Sequence, residues 1–452
     1  MKRIMIANRG EIACRIIRAA KALGIETVAV HSDADAKAAH VQAADVAIRI
    51  GPPPASASYL DREAILNAAR SSGADAIHPG YGFLAENAAF ARQVREHGLI
   101  WIGPDPESID AMGDKGRARA LARKAGVPIL QGSRRFEEGQ LDGLAEAADA
   151  TGFPLLVKAS AGGGGIGMRR VDRLDQLAKI VEATQGMAAR SFGDGTIYLE
   201  RYIPRARHVE IQIFGHGDGR AHHLFERDCS TQRRFQKIIE ESPAPGLDPQ
   251  VVATMAEAAR RLAASQNYRG AGTIEFIVDA ETQDFFFLEM NTRIQVEHPV
   301  TELVCGVDLV GMQIRFARGD DVSSELDGLK RTGHAIECRL YAENPAKMFL
   351  PQPGTLSRFD LPAEGNGIRI DTGVRAGDTI TPFYDPMIAK IIAHAADRPA
   401  AIQKAVAALK AIHIEGLVTN RDFLIAALLD PDFASGNVWT GFVDERRQRL
   451  VA

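Results

Sequence analysis

Two apolar runs late in the chain constrain the fold most tightly: residues 272–279 and 285–290, joined by the five residues 280–284. Strand-like runs with so short a link predict an antiparallel β-hairpin. If Asp279 faces Phe285, the pairing sets Glu275 opposite Glu289. Opposed residues hold their Cβ atoms only about 5 Å apart, and like charges there repel. A carboxylate pair held so close calls for a divalent cation. With the amide of Asn291 the donors are all oxygen, which suits magnesium, or manganese in its place, bridging nucleotide phosphates.

Beyond the hairpin, Glu289, Asn291, Arg293, Gln295 and Glu297 occupy every second position. In an extended chain they share one face, giving metal ligands, then a cation, an amide and a carboxylate in order. Arg293 and Gln295 suit a small planar anion, and Glu297 suits its general base. The alternative is the polar solvent face of an amphipathic strand.

A second signal is Phe153-Pro-Leu-Leu-Val-Lys158, followed by a run with glycine at 162–165 and 167. Consecutive glycines let backbone N–H groups approach phosphate oxygens, and Lys158 at a strand end adds a point charge. No GK[ST] closes the run, so it is not a P-loop. A flexible linker is the plain alternative. The segment 226–237 carries Arg233, Arg234 and Lys237, a cluster that reads either as a solvated face or as an anion site. His208 and Glu210 alternate with Val209 and Ile211, so both point to one side of a strand. Arg339 alone reads as an ion-pair partner.

The N-terminal stretch alternates strands (3–7, 27–30, 74–78, 99–102) with helices, beginning with 10–23, which predicts a parallel sheet covered on both faces. Asn8-Arg9-Gly10-Glu11 follows the first strand instead of GxGxxG, which excludes a dinucleotide-binding reading. A helix over about 115–125 leads into a second unit at 129–203 with a strand at 154–158. A third unit carries a further strand at 208–214, and 319–333 reads as a polar surface connection. At 452 residues the chain has room for about three domains.

The net charge of −4 gives no reason to expect nucleic acid or an anionic membrane as partner. Cys14, Cys229, Cys305 and Cys338 lie far apart and form no CxxC pair, so they read as thiols of a reducing compartment. No run approaches the roughly 20 apolar residues of a membrane helix, and Arg9 and Glu11 interrupt any signal peptide. A cytoplasmic location is expected, although a mature organelle protein would read the same way.

The segments IANRGEIA (6–13), HPGYGFLAEN (78–87), the glycine run, ERDCSTQRR (226–234) and EMNTRIQVEHPVTE (289–302) together resemble biotin carboxylase, over nearly the whole chain. The resemblance implies an α/β ATP-grasp fold: an N-terminal Rossmann-like parallel-sheet domain (1–113), a hinge helix and glycine-rich lid (114–203), and a C-terminal α+β domain (204–452). It implies that bicarbonate and ATP give carboxyphosphate, whose CO2 passes to biotin on a separate carrier protein. Lys115, Lys158, Gly164, Gly165, Glu200, Arg201, Tyr202, Ile203 and His208 would then contact ATP, and Glu275, Glu289 and Asn291 would hold the metal. Arg293, Gln295 and the backbone of Val296 would contact bicarbonate, with Lys237 nearby. Glu297 would be the base, and Arg339 would stabilise the biotin enolate.

Two positions depart from the family pattern: Ile166 stands where a basic residue is usual, and Phe235 where histidine is frequent. Both departures are expected to touch nucleotide or lid interactions. The chain shows no Ala-Met-Lys-Met biotin-attachment motif, so a biotin carboxyl carrier protein and a carboxyltransferase are expected as separate partners of a homodimer. Another ATP-grasp carboxylate–amine ligase and a non-catalytic nucleotide-binding subunit remain as alternatives. The final carboxyl acceptor is not legible.

Overall fold

The computed structural model describes residues 1–160 and 167–451. The glycine run at 162–165 and Ile166 therefore lie outside the described residues.

The N-terminal layer is the parallel sheet that strand–helix alternation predicts. Five strands lie in the order Val46–Gly51, Glu26–Ser32, Arg3–Ile6, Ala76–His78, Ile100–Trp101, all parallel. Sequence reading passed over Val46–Gly51, whose alternating burial marks an edge strand covered on one side. Helix Gly10–Ala22 buries Ile12, Ala13, Ile16 and Ala20 against one face of the sheet. Helices Arg62–Ser72 and Ala88–Glu96 bury Ile65, Leu66, Phe90 and Val94 against the other. Asp61 and Asn87 cap these two helices by accepting from backbone N–H groups in the first turn.

Strands Leu155–Ala159, Met168–Val171 and Ile197–Arg201 form a small antiparallel sheet with the first in the middle. Helices Leu144–Thr151 and Leu174–Phe192 close over it around Phe136, Leu155, Val157, Val181 and Leu199.

The centre of the molecule is an eight-stranded antiparallel sheet. Its order is Phe285–Asn291, Arg269–Asp279, Ala206–His216, Ala221–Arg233, Gln236–Ser242, His334–Tyr341, Met387–Ala395, Ile368–Thr372. Helix Pro249–Ser265 packs Met255, Ala259 and Leu262 onto the strands at 206–216 and 269–291. Helix Arg398–Lys410 covers the distant end with Ala401, Ala405 and Leu409. The connection 319–333 is not wholly surface: Val322 and Leu326 are buried against the N-terminal helix layer.

The hairpin forms, with one correction to its register. At the tip, Val278 rather than Asp279 faces Phe285, and Phe276 faces Phe287. A bulge at Leu288 then inserts one residue, so Glu275 faces Glu289 as the simple count requires.

Candidate active site

The one-face reading of residues 289–297 is corrected: the strand ends at Asn291, and Glu297 already caps helix His298–Cys305 with near-helical angles. Convergence comes from the chain turning back over the sheet. Gln295 Nε2 donates to Glu275 Oε1 at 2.8 Å, and Asn291 Nδ2 donates to the same oxygen at 2.9 Å. Arg293 donates from Nη2 to Asn291 Oδ1 at 3.0 Å and from Nε to Glu86 at 2.8 Å, so part of its fork is turned to these neighbours.

Lys237 is the hub. Its ammonium contacts Glu210 at 2.6 Å, Glu275 at 2.8 Å and Glu297 at 2.6 Å, three carboxylates that are each almost wholly buried. Burial works to neutralise Lys237, yet the three carboxylates hold it well above its ordinary range. The effect is mutual. Burial opposes ionisation of Glu297, but Lys237, Arg339 and Arg227 outweigh it and keep the carboxyl far below the usual range. Glu275 is likewise held well below its usual value, by Lys237 and His208 against burial. Arg339 Nη2 reaches Glu297 at 3.0 Å and also touches Glu240.

His208 Nε2 lies 2.8 Å from Glu275 Oε2, and Gln232 Nε2 lies 2.8 Å from its other ring nitrogen. Burial lowers this imidazole's pKa, but the Glu275 carboxylate prevails and the net direction is upward. Glu289 is raised, first by burial and then by Glu275 across the ladder. That mutual repulsion between Glu275 and Glu289 is what a divalent cation would relieve, and with Asn291 the set remains all oxygen. His208, Glu210 and Glu275 also bring ligand atoms within 4.8 Å of one another. That set includes an imidazole nitrogen, so the all-oxygen Glu275, Glu289 and Asn291 set fits magnesium better.

On the smaller sheet, Lys158 contacts Glu200 at 2.6 Å, and Arg119 of helix Lys115–Lys124 bonds the same carboxylate. Lys115, the first residue of that helix, is lowered by burial and by the charge of Lys158, with Glu289 opposing. Lys115 and Lys158 thus sit where the two sheets face each other. The side chain of Arg201 is exposed, Tyr202 stacks under Arg170 at 4.7 Å, and Ile203 is buried with Leu130 and Ala206. Gly164 and Gly165 lie outside the described residues. Phe235, expected to touch nucleotide or lid interactions, is 63% exposed at the tip of a two-residue turn.

Sequence reasoning missed several groups that position the site. Arg227, fully buried, donates to Glu210, Gln212, Thr301, Thr273 and Gln295, fixing the amide of Gln295 from behind. Its strand carries a polar run at 226–233 that is buried on both faces, a run that marks the segment without naming the partners of Arg227. Lys390, also fully buried, contacts Glu11 at 2.9 Å and donates to the Val296 carbonyl at 2.9 Å. Glu240 and Glu337 lie beneath Arg339, at positions where nothing in the sequence singles them out.

A small sheet facing a large antiparallel one, with lysines between them and paired carboxylates at the edge, defines an ATP-grasp protein. Comparison with known proteins is more specific. Residues 1–109 match the family model "Biotin carboxylase, N-terminal domain", 337–445 match "Biotin carboxylase C-terminal domain", and 114–325 match "Carbamoyl-phosphate synthase L chain, ATP binding domain". Biotin carboxylase 2 of Bacillus subtilis is 47% identical over 443 residues, covering 98% of this chain and 99% of that protein. The chain belongs to the biotin carboxylase family.

The mitochondrial methylcrotonoyl-CoA carboxylase subunit alpha of Glycine max is 48% identical across the whole chain, which spans 61% of that protein. Among solved structures, the biotin carboxylase–beta-gamma-ATP complex from Campylobacter jejuni matches with a TM-score of 0.93 and 42% identity over 98% of both chains. The biotin carboxylase domain dimer of Hydrogenobacter thermophilus 2-oxoglutarate carboxylase, in complex with MgADP, ADP and bicarbonate, matches equally well. Its TM-score is 0.93 at 42% identity, over all of this chain and 98% of that one.

Proposed function

We propose that this chain carboxylates biotin, borne on a separate carrier protein, using ATP and bicarbonate through carboxyphosphate. The observation that carries this reading is the bond of Lys237 to Glu210, Glu275 and Glu297, with Arg339 on the far oxygen of Glu297. It leaves Glu297 ionised and oriented as a base, with cations positioned to offset the charge that develops when an anion attacks a phosphate.

Glu275, Glu289 and Asn291 would hold magnesium, which when bound neutralises nucleotide phosphate charge. Lys115 and Lys158 face the same space and would contact those phosphates, with His208, Glu200 and the 201–203 segment bordering the nucleotide. Gly164 and Gly165 would complete the lid. Arg293, Gln295 and the backbone of Val296 would receive bicarbonate. Glu297 would take its proton, and Lys237 would stabilise the resulting dianion. Arg339, loosened from Glu297 as that carboxyl gains a proton, would stabilise the biotin enolate.

A carrier protein, a carboxyltransferase and a second copy of this chain are the partners proposed, the last supported by the dimer named among the structural relatives. No helix among the described residues is long and apolar enough to cross a membrane. We propose a cytoplasmic location, which the match to the biotin carboxylases of Bacillus subtilis and Nostoc over almost their whole length supports. The divisions near 113/114 and 203/204 are proposed to separate the N-terminal domain, the lid and the C-terminal domain.

The test is ADP release with bicarbonate and magnesium, with and without free biotin. Stimulation by biotin is expected. Its absence despite ATP binding would overturn the assignment.

A further inference from the structure

Behind Arg339 lies a second carboxyl pair that the proposed mechanism does not use. Glu240 and Glu337 face each other across the antiparallel strands Gln236–Ser242 and His334–Tyr341. Both are wholly buried. Side chains so opposed stand about 5 Å apart at Cβ. Two residues on from Glu337, Arg339 shares the same face and touches Glu240 on one side and Glu297 on the other. Neither Glu337 oxygen has a hydrogen-bond partner among the described residues, and no well-aligned hydrogen bond reaches either Glu240 oxygen.

An isolated buried carboxylate with no donor is far costlier than a neutral carboxylic acid. Glu240 has the Arg339 cation beside it and Glu337 has no donor among the described residues, and two buried carboxyls side by side do not both ionise. We propose that Glu240 and Glu337 form a one-proton carboxyl pair that positions Arg339, keeping its guanidinium anchored without cancelling its charge. The inference rests on the biotin carboxylase reading for what Arg339 does. With one proton in the pair, Arg339 faces Glu297 and a single negative charge behind it. With none, three carboxylates pin it.

The charged and titratable surroundings agree. Arg339, Glu297 and Lys237 face Glu240, while Lys390 of the neighbouring strand approaches from the Glu337 side. His298, on the helix that covers this face, is held neutral by burial and by Lys390. Burial and the neighbouring carboxylate Glu297 raise Glu240 to about 7 against the pull of Arg339. Glu337 is pushed well above its ordinary range by burial, which Lys390 only partly offsets before Glu240 adds to the rise. The pair titrates as a unit, not as two independent groups. Its members are positioning residues.

Three readouts on the full chain test the proposal. A group whose folded value is raised contributes stability below its unfolded value and loses it as pH rises through the folded value. The thermal midpoint of Glu337→Gln relative to the parent is therefore expected to rise between about pH 5 and pH 9, by about 2 °C or more. A flat or falling difference would mean an ionised Glu337 paired with Lys390 and would overturn the proposal. Should Glu337→Gln not fold, Glu240→Gln reports on the same proton from the other strand.

Second, the infrared spectrum of the folded parent in D2O near neutral pH should contain a buried protonated-carboxyl band. Its absence would overturn the pair with no variant needed. Third, the alkaline limb of kcat/KM for biotin should move to higher pH in Glu337→Gln, and an unchanged limb would remove the role at Arg339. A chain without biotin-dependent turnover would fail the functional reading alone, leaving the thermal and infrared results to decide the pair.

Discussion

At the scale of single residues, Lys237 carries the largest electrostatic share of the site, since one ammonium compensates three buried carboxylates. Removing one partner of a buried ion pair typically costs about 3–5 kcal/mol, because the partner left behind stays charged and buried. Lys237→Met is expected to fall in or above that range in urea titrations at neutral pH, and a loss below about 1 kcal/mol would contradict the hub. The same cluster fixes an acid dependence. Glu275 and Glu297 are depressed in the folded chain, so their contribution is fully present above the unfolded value of about 4.3 and is lost as pH falls below it. The parent should therefore lose stability steeply below about pH 4.

Glu297→Gln should keep ATP binding and lose biotin-dependent turnover by about 100-fold or more. Normal turnover would remove the base assignment. Glu275 and Glu289 were legible in sequence because spacing within one hairpin opposes them, whereas Glu297 joins them through a turn that alternation does not give. Arg227, Lys390 and Glu240 were not legible. Their partners lie on other elements, and neither the polar run around Arg227 nor the lone Lys390 in an apolar strand carries a mark of what it will face.

At the scale of elements, the hairpin shows how much a count of residues can hold. Pairing Asp279 with Phe285 gives the right opposition of Glu275 and Glu289, although the tip is shifted by one and Leu288 bulges to restore it. A bulge follows from fitting a twisted edge against its neighbours, which local sequence does not encode. Extended alternation failed past Asn291 because the chain leaves the sheet there and turns at 296–297 into helix His298–Cys305.

A second turn yields a prediction of its own. Arg234 and Phe235 connect the strands Ala221–Arg233 and Gln236–Ser242 with φ of 50° and 65°, the left-handed pair of a type I′ hairpin. Left-handed backbone costs a residue with a side chain about 1–2 kcal/mol, and glycine much less. With Phe235 mostly exposed, little packing is lost by its removal. Phe235→Gly should raise stability by about 1 kcal/mol in chemical denaturation. A loss would show that the ring makes a contact worth more than the strain.

At the scale of the whole molecule, the parallel N-terminal sheet and its first helix were legible from alternation, apart from the edge strand Val46–Gly51. The eight-stranded sheet was not, since strands such as Ile368–Thr372 and Met387–Ala395 join it from far along the chain. Beside the apolar cluster that both layers share, a chain of buried charges joins them. Arg15 of the first helix bonds Glu302 at 2.9 Å, Arg369 of the edge strand bonds Glu302 from the other side at 2.6 Å, and Lys390 bonds Glu11 at 2.9 Å. Lys390 has a second task, since it also holds the Val296 carbonyl beside the candidate base.

Structure and activity can be separated at this contact. Lys390→Met should cost about 3–5 kcal/mol by leaving Glu11 buried without its cation. Adding Glu11→Leu removes the stranded charge, so the double variant should recover much of that loss, as replacing a buried pair by apolar groups commonly does. It should not recover turnover, because the Val296 carbonyl still lacks the ammonium that holds it. Urea midpoints and biotin-dependent ADP release measured on the same three proteins decide the matter. If stability and turnover return together, Lys390 serves only to join the layers. If stability returns alone, the contact that assembles the molecule also sets the geometry of its active site.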